Sequence, residues 1–415
     1  MRTVLWGSRA AGGLMAFLLC MTGGAGTAQQ AGHWAKVGDM LTGRYAPAVT
    51  TLADGRALVA GGYSETSPGV GTCTTSAQLF RADPQGGGAW ATTGAMAVAR
   101  NFATATLLDD GQVLIAGGYN TEVGTLDSVE LYDPATGTFS QPQGAAMNIP
   151  RELHTAIKLP ASAGKYAGKV LLIGGYCIGK GTQRTAEVYD PATHKFTLTA
   201  PMQAAWGRFG HAAALLPNGD VLIVGGKERT RKGWNALASV EVFHTTGPAA
   251  GTFTALGEMM FARDRPTVVW LPAPYNKALV IGGQGINRLT GASVDVLHCE
   301  WIDPFAATPD RVFRLGPALW HGRMAHSLVT LPNGDILVFG GWSVKLQGTT
   351  NTAERFVFAT GRIVSAGTLA CDATDSYSCH DAGAALVNGQ VLVVGGKQAT
   401  PTMGTYPPAA RIYMP

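Results

Sequence analysis

Six arginines stand at one place in a recurring pattern: Arg44, Arg100, Arg151, Arg208, Arg263 and Arg323. A guanidinium is a planar fork of donors that matches carboxylate, sulfate or phosphate groups. If the strands that carry them converge on one axis, the six form a cationic collar round a channel mouth. The competing role is to brace neighbouring loops through carbonyl hydrogen bonds. Tyr63, Tyr119, Tyr176 and Trp342 each directly follow a glycine pair, where Lys227, Gln284 and Lys397 stand in the other repeats. An aromatic ring beside an arginine can stack on a sugar while the guanidinium holds an acid group; packing against the glycine turn is the alternative. These ten side chains are the candidate ligand-binding set.

Three further groups could do chemistry. Glu152 adjoins Arg151, and Asp264 lies between Arg263 and Arg265; a desolvated carboxylate there can act as a general base, with a salt bridge as the competing role. His154, His211 and His326 share one repeat position, three residues after the arginine. They are expected to hydrogen-bond between repeats rather than to hold a metal, so neither a metal site nor a cofactor is assigned. The basic run 227–232 is a solvated protrusion or a rim that steers anions.

The elements that must position these residues follow from a repeated phrase, an apolar β-type run ending in Gly-Gly. It occurs at Gly61-Gly62, Gly117-Gly118, Gly174-Gly175, Gly225-Gly226, Gly282-Gly283, Gly340-Gly341 and Gly395-Gly396, in steps of 56, 57, 51, 57, 58 and 55 residues. A period near 50 with a glycine doublet indicates β-propeller blades. In five copies the two strands before the doublet are joined by Asx-Gly, read as a two-residue type I′ turn. A third strand with a late aromatic follows, as in Val129-Glu-Leu-Tyr132, and then a fourth that opens on an aromatic. The C-terminal segment 409–413 reads as a third strand lacking a fourth, and 33–40 as a fourth with nothing before it. The expected fold is therefore all-β, a seven-bladed propeller whose last blade is closed by the N-terminal strand.

Gly-Gly ending the second strand, Tyr or Phe in the third, Trp or Phe opening the fourth, and Arg-x-x-His opening the next blade resemble the Kelch repeat. The resemblance covers essentially all of 29–415. It implies a fold and leaves the activity open, because Kelch-like propellers include protein-binding modules, sialic acid mutarotases and galactose oxidases. The mutarotase likeness implies an arginine on a sugar carboxylate and Glu152 or His154 moving a proton, but that family usually has six blades. The oxidase likeness implies two tyrosines, two histidines and a cysteine crosslinked to one tyrosine, and here no Tyr-His dipeptide occurs.

Charged residues are 14% of the chain and the net charge is +4, which does not supply the strong basic field of a nucleic-acid binder. Arg2 and Arg9, an apolar stretch and the small residues ending at Ala28 read as a secretory signal peptide, 1–28, leaving 29–415 as the exported propeller. No other stretch approaches the length of a membrane span. Of the remaining cysteines, Cys371 and Cys379 are the expected disulfide; Cys73, Cys177 and Cys299 are odd in number. Loops joining second to third strands, and one blade to the next, share a face that holds all the long variable segments. The expected function is recognition of a protein, peptide or glycan on that loop face, with a carbohydrate-active enzyme as the alternative.

Overall fold

The computed structural model describes residues 32–67, 70–231, 233–286, 292–307, 313–369, 382–396, 398–399, 404–405 and 408–415. The segment 1–28, the Cys371–Cys379 pair, Ser378, His380 and Lys397 lie outside the described residues.

Seven four-stranded antiparallel sheets make up the protein. Blade one runs Ala48–Thr51, Ala57–Ala60, Ala77–Ala82 and Gly88–Thr92, and blades two to six repeat that order. Blade seven takes Gly383–Val387, Gln390–Val394 and Ala410–Met414 from the C-terminal end and His33–Val37 from the N-terminal end. His33 faces Met414 and Val37 faces Ala410 in register. The innermost strands of blades one and seven touch, which closes the ring.

The second strands are apolar and wholly buried because both of their faces meet another blade: Val113–Ala116 and Val221–Val224 expose almost nothing. Each core cluster therefore draws on two neighbours. Leu171, Ile173 and Val188 of blade three pack with Val221, Ile223 and Phe243 of blade four. The aromatics of third and fourth strands stack within blades, Tyr132 on Phe139 at 4.8 Å and Phe80 on Trp90 at 4.9 Å.

The glycine doublet stitches blades together. The second glycine donates its N–H to the carbonyl of the next blade's arginine, Gly62 to Arg100 at 2.8 Å and Gly396 to Arg44 at 2.9 Å. A Cβ on Gly61 would lie 2.3 Å from the Arg100 oxygen, and φ is +65° there, so only glycine fits.

The Asx-Gly turns differ from expectation. Only Asn388-Gly389 has positive φ at both residues. In the other four the Asx residue keeps negative φ, and the turn closes through bonds such as Gly55 N–H to the Leu52 carbonyl at 3.0 Å. The reason is side-chain capping: Asp54 Oδ1 accepts the Arg56 N–H at 3.0 Å, and Asp110 Oδ1 accepts that of Gln112, which holds a wider turn with glycine alone in the left-handed region. The loops after the doublets are also more ordered than expected. Among the described residues they contribute seven two-stranded pairs, such as Lys227–Thr230 with Gly233–Ala236.

Candidate functional site

The arginines do not line a channel. All six are 0–1% exposed. Each Nη1 donates to the carbonyl of the first glycine in its own blade, from Arg151 to Gly174 at 2.6 Å up to Arg44 to Gly61 at 2.9 Å. In five blades Nη2 meets a buried third-strand glutamate: Arg100–Glu130, Arg151–Glu187, Arg208–Glu241, Arg263–Glu300 and Arg323–Glu354, at 3.0, 2.6, 2.5, 2.8 and 2.7 Å. The same glutamate accepts two N–H groups from the incoming linker, Ala97 and Val98 for Glu130, Asn148 and Ile149 for Glu187. The expected collar of Arg44, Arg100, Arg151, Arg208, Arg263 and Arg323 is thus an internal set of braces, because the fork is spent on backbone and carboxylate beneath the surface. Sequence reasoning missed the glutamates. Their signal was a charge in the middle of an otherwise apolar third strand, as in Val-Glu-Leu-Tyr.

The repeated histidines are seam residues. His154, His211 and His326 set Nε2 against the hydroxyl of Thr104, Thr155 and Thr267 in the preceding blade, at 3.1, 2.9 and 2.8 Å. Burial, with the adjacent arginine adding repulsion, lowers His154 and His326 to about 3.

What lines the axis is the residue two after each arginine. Ala46, Phe102, Leu153, Arg265 and Ala325 all take positive φ there, as does Gly210. Their backbones bond in series, Gly210 N–H to Leu153 O and Arg265 N–H to Gly210 O at 3.0 Å each. They surround shallow axial cavities of about 260 and 180 Å³ in which, among the described residues, Arg265 is the one charged lining group.

The four aromatics after the doublets do not come together. Tyr63 lies over Gly71 of its own hairpin, and Trp342 pairs with Met324 through backbone. Tyr119 pairs with Asn101, and its carbonyl faces the buried Cys73 thiol at 3.3 Å. Tyr176 joins a cluster, with Phe209 at 5.7 Å and Trp234 at 5.7 Å, while Phe209 and Trp234 are 5.4 Å apart. Trp234 is 42% exposed, and Arg229 and Lys227 lie over its ring at 5.3 and 5.9 Å. Lys227 also pairs with the buried Asp264 at 3.2 Å. Beside this platform Glu152 is bridged through backbone to Tyr176. Burial pushes its carboxyl up to about 7, against the pull of the Thr125 hydroxyl and of Arg265.

Exposed large apolar side chains are unevenly placed. Leu41, Val70, Val123, Ile178, Trp206, Trp234, Met260, Phe261, Ile286, Val294, Leu297, Trp320 and Leu346 belong to loop-face hairpins or interblade linkers. Elsewhere among the described residues only Leu198, Leu215, Phe305 and Leu315 are comparably exposed.

A family model for the Kelch motif matches residues 102–143. The chain is thus a seven-bladed β-propeller that carries a Kelch motif in its second blade. The fold is similar to the solved "Structure of YjhT", at 12% identity and a TM-score of 0.57 over 79% of this chain and 99% of that one. It is also similar to a structure described as "Novel fungal alcohol oxidase with catalytic diversity among the AA5 family, in complex with copper". That match has 18% identity and a TM-score of 0.64 over 93% of this chain and 76% of that one. At these identities the likeness is one of fold. No curated protein matches the sequence.

Proposed function

We propose that this chain is an exported binding module whose loop face takes a protein, peptide or glycan. The carrying observation is the gathering of exposed Trp, Phe, Leu and Met side chains on the loop face while the arginines stay inside. Large apolar side chains gathered on one face are costly in water and mark an interaction face. The Tyr176–Phe209–Trp234 platform, with Arg229 and Lys227 over it, supports one contact area. The test is a thermal-shift screen of acidic sugars, neutral glycans and short peptides on the protein, on Trp234→Ser and Trp206→Ser, and on the opposite-face control Phe305→Ser. Loop-face substitutions are expected to remove ligand stabilisation that the control retains; the reverse pattern sinks the reading.

Glu152 favours a second reading, a carbohydrate-active enzyme. A carboxyl that titrates near 7 can give and take a proton at neutral pH, as ring opening of a sugar requires. Trp234 and Tyr176 would orient the ring, and Arg265 would attract an acid group. Glu152→Gln should then abolish turnover and keep binding. Copper chemistry has less support: among the described residues no three His, Cys, Asp or Glu side chains converge as a ligand set, and the repeated histidines are spent on threonines.

A further inference from the structure

Between blades five and six the loop face holds a groove of about 540 Å³, roomier than either axial cavity. Val294, Leu297, Trp320 and Leu346 line it, exposed by 37, 39, 60 and 56%.

Its walls are held in place before anything binds. Glu354, locked by Arg323 from below, accepts the Trp320 N–H at 2.7 Å and fixes the linker that carries the indole. Across the groove Asp295 of blade five clasps the blade-six hairpin: Oδ2 accepts from the Ser343 hydroxyl at 2.8 Å and the Lys345 N–H at 3.1 Å, and Oδ1 from the Val344 N–H at 2.9 Å. Gly322 lets Asp295 approach, since a Cβ there would lie 2.2 Å from the Asp295 Cγ. A preformed apolar groove loses little entropy on binding.

The polar groups decide the occupant. Asp295 and Ser343 are spent on each other and on backbone, so the groove has few acceptors to offer the many hydroxyls of a neutral sugar. The remaining lining groups that can meet an anion are the Lys345 ammonium, which makes no ion pair among the described residues, and the His321 imidazole, which can present a ring N–H and lies 3.7 Å from Glu354. The lining therefore suits an apolar group that carries an anionic neighbour.

We propose that this groove seats a partner polypeptide that inserts one large apolar side chain against Trp320 and Leu346 and sets a nearby Asp or Glu against Lys345 and His321. The proposal rests on the loop face being the binding face, and it names the partner's chemistry. The buried anchor would supply most of the affinity and the rim charge the register.

The test selects short random peptides displayed on phage against the purified protein and measures the affinity of the selected synthetic peptides by calorimetry. They should share a large apolar residue with Asp or Glu within two positions. Leu346→Asp should weaken them by at least about tenfold and Lys345→Glu by several-fold, with Tm unchanged because both side chains are at the surface. Trp320→Ser supplies a second variant should Leu346→Asp fold poorly. Selected peptides without the apolar–acidic pair, peptides indifferent to Leu346→Asp, or no selected peptide would each overturn the proposal. Peptides or glycans lost on Trp234→Ser but kept by Leu346→Asp would overturn it while leaving the loop-face reading in place. A concentration-dependent dimer in sedimentation, broken by Leu346→Asp, would assign the groove to a second copy and overturn it as well.

Discussion

Arg44 Nη2 lies 3.5 Å from Gln78 Oε1, at the position where blades two to six set a glutamate against the corresponding arginine. Gln78 Oε1 also accepts the Leu41 N–H, but its Nε2 is buried without a partner. Burial lowers Arg44 to about 10. Gln78→Glu replaces an orphaned donor with a counter-charge, so it should stabilise the fold by about 1–2 kcal/mol. Urea denaturation measures this, and a lower midpoint would refute the account.

The converse substitution attacks blade three. Glu187→Gln leaves the Arg151 charge buried and uncompensated and weakens the pinning of Asn148 and Ile149. The expected loss is about 3 kcal/mol. Replacing Arg100 and Arg151 together by alanine should likewise lower Tm; an unchanged Tm with lost ligand binding would restore the collar.

The seam histidines make stability fall in acid. Their folded values, about 3 for His154 and His326, lie below the ordinary 6.5. The unfolded chain therefore binds more protons between these values. The stability they contribute is present above about 6.5 and is lost as pH drops towards 3, by up to about 1.4 kcal/mol per pH unit for each histidine. Unfolding curves at pH 7 and pH 5 should diverge less for His154→Gln than for the unaltered protein, and equal divergence counts against the argument.

Glu152 has the opposite sign. Its carboxyl is raised from 4.5 to about 7, so the folded state holds its proton longer than the unfolded chain. That stability is in place below about 4.5 and is lost as pH rises through 7. Glu152→Gln should flatten this part of the profile, gaining on the unaltered protein at pH 8 relative to pH 4. A gain that does not depend on pH would show that Glu152 titrates alike in the folded and unfolded chain, and would refute the account.

The ring was legible because period and alternation are local: glycine doublets at regular steps, apolar runs between them and an unpaired strand at each end dictate seven blades and their closure. Turn type was less so, since Asx-Gly permits both a two-residue turn and the wider one that side-chain capping selects. The candidate site was legible only in part. Tyr176 was marked by its place after the doublet, whereas Phe209 and Trp234 belong to different positions of the repeat, and only the adjacency of blades three and four unites them.

The same division holds for the arginines. Sequence determined that six guanidiniums recur at equivalent places, but not which way they point. In five of the six, direction depends on a glutamate 30 to 37 residues later in the chain, brought alongside by strand pairing and desolvated with the arginine, which makes the buried pair a brace rather than a ligand site. The loop-face apolar surface and the groove beside Trp320 are likewise tertiary facts, because exposure is a property of neighbours and residue type alone does not contain it.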